Sequence, residues 1–223
     1  VIINPKYDGT KFIGETDELD GITYLIVDND LLQKLIGQGD QTPKCTTLVT
    51  NMKDLFKNKN VAESIIHWDV SQVTTMQSMF AYSNFNQPIG DWDVSSVNNM
   101  HRMFNGVSSF NQDISGWDVL NVTDMSWMFS RAFSFNQNIG NWKVDNVTDM
   151  GGMFWFATSF NHDVGNWKVD NVIEMPGMFM NTSSFNQDIS RWVVDKVTDC
   201  SDFSEQSKLL DKYRPTFKNC NPY

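Results

Sequence analysis

Few residues of this chain could do chemistry, and their spacing speaks against catalysis. Histidine occurs three times, as His67, His101 and His162. The three fall at unrelated positions and share no metal-ligand or nucleophile–base spacing with a carboxylate or thiol. There is no HExxH, no G-x-S-x-G and no phosphate loop. Cysteine also occurs three times: Cys45, Cys200 and Cys220. Asp69, Asp93 and Asp118 follow tryptophans at regular intervals. Stacked aspartates could hold calcium through oxygen ligands, but without a Gly-rich loop they read as a solvated acidic face. The remaining candidates are large aromatic residues at positions that are otherwise variable: Trp127, Phe133, Trp155 and Phe156. Aromatic anchors serve glycan and protein recognition alike. Local packing across neighbouring glycines is the competing reading, since Trp127 aligns with Gly152 and Gly177.

A repeat must position these residues. Tryptophan recurs at Trp68, Trp92, Trp117, Trp142, Trp167 and Trp192, and methionine keeps the same beat from Met52 to Met175, followed by Cys200. A Phe-Asn pair does so at Asn86, Asn111, Asn136, Asn161 and Asn186. A fixed period of 25 residues implies a solenoid whose repeats bury a shared core. Val122, Met125, Met128 and Phe129 fall at helical intervals, with Thr123 or Asp124 as N-cap. The following Phe-Asn-Gln-x-Ile-x-x-Trp-x-Val reads as a short, bent strand. The Trp column reads as core, and the Asn column as a buried amide ladder.

The V-T-x-M-x-x-M-F, S-F-N-Q-x-I and W-x-V pattern resembles the BspA-like leucine-rich-repeat surface proteins, in their 25-residue branch of bacterial surface proteins and mycoplasma lipoproteins. The resemblance extends to the opening segment at 21–52 and to the closing segment at 200–220. It implies an exported, cell-surface, extracellular protein, with adhesion among the functions of its relatives.

The fold expected is therefore α/β: a single-domain, right-handed leucine-rich-repeat-like solenoid, with one short helix and one short strand per repeat and a cap at each end. Residues 1–20 read as a linker or arm, 21–48 as a strand-helix cap, 49–199 as repeats and 200–223 as the C-terminal cap. Asp28-Asn29-Asp30 caps a helix carrying Leu31, Leu32, Leu35 and Ile36, which Gly37 or Gly39 stops. Cys200 occupies the methionine position of the repeat, and a disulfide to Cys220 would staple the last segment over the Trp192 repeat. That bond would place the chain in an oxidising compartment.

Charge narrows the partners. A net charge of −10 with no Lys/Arg run disfavours nucleic acid and anionic membranes. No apolar stretch reaches the length of a membrane span. The expectation is a monomeric, non-enzymatic recognition module without cofactor or metal, binding a protein or polysaccharide through the aromatic slots. A structural spacer or cell-envelope stalk is the alternative.

Overall fold

The computed structural model describes residues 9–223. The chain opens with a hairpin, β1 (Thr16–Leu19) antiparallel to β2 (Ile22–Ile26). Asp20 and Gly21 make its turn with φ of 51° and 75°, as a two-residue hairpin loop of Asp-Gly type requires. Thr16–Leu19, placed in the arm by the sequence reading, is thus part of the cap; residues 1–8 of that arm lie outside the described residues. Helix α1 (Asn29–Gln38) follows. Asp28 Oδ1 accepts the Leu31 amide at 2.9 Å, and Gly39 ends the helix in the left-handed region at φ 73°. Strand β3 (Lys44–Cys45) returns parallel to β2, and Leu32 and Ile36 of α1 seal the first repeat.

The repeats depart from the expected helix and strand. Between residues 49 and 210 no α-helix or multi-residue strand forms. In place of each helix runs a ribbon of tight turns in which alternate amides have different duties. Met76, Ser78, Phe80 and Tyr82 donate to the carbonyls of Asn99, His101, Met103 and Asn105 in the next repeat, at 2.7–3.0 Å. Between them, Met79, Ala81 and Ser83 donate backwards to Met76, Ser78 and Phe80. The later repeats copy this scheme, for example Trp127 to Gly151 and Arg131 to Trp155. These amides are therefore satisfied either within a turn or across to a neighbour, and the ribbon's first amide by a side chain, as Ser126 is by Asp124 Oδ1. The geometry requires a left-handed residue at two places per ribbon: Ser78 and Tyr82, Arg102 and Gly106, Trp127 and Arg131, Gly152 and Phe156. Apolar residues three apart suit this ribbon as well as a helix, because each turn closes on the third residue.

In place of the strand, each repeat contributes a single parallel bridge residue. The bridges link Asn51, Thr75, Asn99, Asp124, Asp149, Glu174 and Asp199 in one continuous column.

The core lies between these features. Met52, Met76, Met100, Met125, Met150, Met175 and Cys200 are fully buried. Phenylalanines form two registered stacks: Phe104 on Phe129 at 5.7 Å and Phe110 on Phe135 at 6.0 Å, with Phe104 and Phe110 only 3.9 Å apart. The tryptophans are buried too, and the indole N–H of four of them reaches back one repeat: Trp117 to Ile89 O, Trp142 to Ile114 O, Trp167 to Ile139 O and Trp192 to Val164 O, at 3.0–3.1 Å, while that of Trp92 is buried without a partner among the described residues. A buried indole then places both its apolar body and its donor.

The C-terminal segment occupies the next place in each ladder. Cys200 and Cys220 form a disulfide. Leu210 N donates to Asn186 Oδ1, and Asn219 Nδ2 donates to Asp195 O at 2.7 Å. Phe217 closes over Phe203 with ring centroids 5.0 Å apart. Cys45 is buried, its sulfur 3.8 Å from Thr47 Oγ1.

Candidate functional site

Side chains in the ribbon lean towards the following repeat, and at Gly106 and Gly152 a ring covers the glycine. A Cβ at Gly106 would lie 2.4 Å from the Tyr82 ring, and one at Gly152 would lie 2.8 Å from the Trp127 ring. Trp127 next meets Trp155, centroids 5.4 Å apart and planes at 79°. Trp155 in turn meets Phe156 at 4.9 Å, edge to face. Trp127, Trp155 and Phe156 thus form one aromatic ridge across two repeats. They touch one another and are half-buried, because each ring has another group laid against it. Phe133 is 43 % exposed, and among the described residues its ring pairs with none of the other three. The structure therefore separates it from the ridge.

Two arginines complete the ridge, and sequence reasoning missed them. The Arg131 guanidinium lies 4.6 Å over the Trp155 ring, and that of Arg102 lies 5.8 Å over Trp127. Both side chains are exposed. The chain has only four arginines, and finding half of them in variable ribbon slots was the available signal.

The bridge column that precedes the ribbon is acidic in the middle repeats. Asp124, Asp149 and Glu174 stack at successive bridge positions. Burial pushes the Asp149 carboxyl above the usual carboxylate range; the Gly151 amide opposes this, while Asp124 and Glu174 add to it. His101 Nδ1 sits 2.7 Å from Ser126 Oγ, and burial lowers its pKa against the pull of Asp124. These groups tie neighbouring ribbons together. Among the described residues, no group of three or more His, Cys, Asp or Glu is placed to hold a metal ion.

The other columns are structural. Asp69, Asp93 and Asp118 are not a calcium row: each accepts the backbone amide two residues on, those of Ser71, Ser95 and Leu120. Asp69 is not solvated either, being only 4 % exposed with Thr47 Oγ1 on its second oxygen. The Asn column is a ladder, but an exposed one. Asn86, Asn111, Asn136 and Asn161 each accept the amide of the next Asn through Oδ1, at 2.9–3.1 Å. Gln112, Gln137 and Gln187 reach back to the same asparagines, and His162 does so in the place of a glutamine. Turning backbone, not neighbouring side-chain amides, is the ladder's main partner. Lys168 pairs with Asp145 across repeats at 3.4 Å.

Under the N-terminal cap, Lys44 is fully buried. Its ammonium donates to the carbonyls of Asp40 and Thr42 and meets Glu63 Oε2 at 3.1 Å. Burial raises the Glu63 pKa against the attraction of Lys44 and lowers that of His67. Every donor of this lysine is engaged, so it fastens the cap to the first repeat.

Comparison with curated proteins and with solved structures finds no match. The family described as "Mycoplasma protein of unknown function, DUF285" matches twice in tandem, over residues 43–122 and 113–214, and the chain belongs to that family.

Proposed function

We propose that this chain is a non-enzymatic recognition module displayed on a cell surface, a BspA-like, leucine-rich-repeat-like solenoid that binds a polysaccharide or protein along its aromatic ridge. The observation that carries this reading is the convergence of Trp127, Trp155 and Phe156, from variable slots of two repeats, into one contiguous patch under two exposed guanidiniums. A fold that needs only a uniform stack has no use for a tryptophan at Trp127, where the backbone is left-handed at φ 59° and the two following repeats have glycine. Tryptophan and arginine are the residues most enriched among binding hot spots. The Cys200–Cys220 bond supports an extracellular location, since disulfides persist in oxidising compartments. The parallel bridge column and the hydrogen bonds between successive repeats support the solenoid reading.

The test is a glycan array and a panel of extracellular-matrix proteins probed with the purified chain and with a Trp127→Ala/Trp155→Ala variant. Saturable binding to at least one probe, absent in the variant, is expected. Equal signals from both would contradict the reading and favour the spacer.

A further inference from the structure

The ridge presents guanidiniums more than bare rings. Trp127 lies against the backbone of Gly152 and carries Arg102; Trp155 carries Arg131. A ring beneath a guanidinium orients it and leaves its N–H edge free, the geometry that takes a carboxylate with two parallel hydrogen bonds. Among the described residues, neither guanidinium forms an ion pair or a side-chain hydrogen bond. These are two unmatched cations on a chain of net charge −10.

The surroundings restrict the anion. Asp124, Asp149 and Glu174 stand in the bridge column three residues before Trp127, Gly152 and Gly177, on a chain that is negative as a whole. A dense polyanion would be repelled by that column and by the net charge, whereas an isolated carboxylate can face the arginines alone. The carboxylates also provide acceptors for hydroxyl groups. Beyond Phe156 lies a notch. Gly152 has no side chain to lean over Gly177, and a Cβ at Gly177 would find only Met180 within 4 Å. Backbone and the Met180 thioether are thus left uncovered at Gly177, a surface suited to the apolar face of a pyranose ring. A peptide fits less well, because the ribbon amides are already committed to the next repeat, Trp127 to Gly151 and Arg131 to Trp155. No free backbone edge is left here for strand addition.

Resting on the recognition reading above, we infer that the ridge binds an oligosaccharide bearing isolated carboxylates. Arg131 and Arg102 take a carboxylate, and the Gly177–Met180 notch takes a neighbouring sugar ring. Calorimetric titration tests this with three probes: an oligosaccharide of alternating glucuronate and N-acetylglucosamine, the same oligosaccharide with its carboxyls reduced to alcohols, and a glutamate-rich peptide of equal charge. The first should bind, with affinity falling as salt rises. Carboxyl reduction, and separately Arg131→Gln, should each weaken binding at least about tenfold, the loss of roughly one charge-assisted hydrogen bond. An unchanged unfolding midpoint for Arg131→Gln would exclude misfolding as the cause. Equal binding of the reduced oligosaccharide would overturn the carboxylate assignment while leaving glycan recognition standing. Binding of the peptide alone would overturn it in favour of a protein partner. Binding of none would overturn it outright, and the array would then decide the wider reading separately.

Discussion

The Trp127 ring rests on Gly152 so closely that a single added methyl would sit 2.8 Å from its carbons. Gly152 has a φ of 59°, so an alanine there is strained by its backbone as well as by the ring. Gly152→Ala should cost about 1–3 kcal/mol in denaturant unfolding. Adding Trp127→Ala should return the steric part of that loss, a coupling a double-mutant cycle reads directly. Additive losses would show that the ring does not lie on the glycine.

Trp117→Ala removes a ring stacked on Trp142 and an indole bond to Ile89 O. It should cost on the order of 3–5 kcal/mol, as for other buried aromatics. Hydrogen exchange should rise in both flanking repeats, which share its interface. A loss below about 1 kcal/mol would contradict the core assignment.

The Cys200–Cys220 bond closes a separation of 20 residues. Mass spectrometry without reductant should show this linkage and no disulfide at Cys45. Cys220→Ser should cost roughly 3 kcal/mol by the chain-entropy account, with the loss concentrated in the segment after Phe203.

The folded chain holds the Asp149 carboxyl above its ordinary value, chiefly through burial. Ionising it therefore costs stability: the cost is absent in acid and sets in as pH rises through the ordinary carboxylate range to the folded value. Asp149→Asn keeps an acceptor for the Gly151 amide and removes that cost. It should raise stability at neutral pH by less than about 1 kcal/mol, given the partial exposure. The gain should vanish in acid, where the native side chain is protonated. A loss at neutral pH would mean the charge is needed.

Much of the architecture was legible because period and burial are written together: every Trp and Met of the repeat beat is inside. The Asp28 cap, the Gly39 stop and the Cys200–Cys220 pair were legible for local reasons. The ribbon was not, because Met125, Met128 and Phe129 fit a helix and a chain of three-residue turns equally well. Glycines at Gly106, Gly152 and Gly177 were the trace of its left-handed positions, hidden because other repeats place arginine or tryptophan there. The Asp20-Gly21 hairpin was readable and overlooked in a polar segment. Lys44 could not be anticipated, since its burial depends on Glu63 arriving from the first repeat. At the ridge, the aromatic slots were legible but the arginines over them were not: the stacking depends on how side chains lean between repeats.

The central claim is that the ridge serves recognition and not folding, and Trp155→Ala tests it most directly. Trp155 is half-buried, and its ribbon neighbours Asn105 and Ser130 fill the same position with small side chains. The variant should unfold within about 1 kcal/mol of the parent, as surface substitutions do. Titrated against the strongest probe from the array, it should bind at least about tenfold more weakly, which is 1.4 kcal/mol of lost contact. Unchanged affinity, or a loss of stability on the scale of Trp117→Ala, would contradict the account and leave Trp155 as one more packing residue of a spacer.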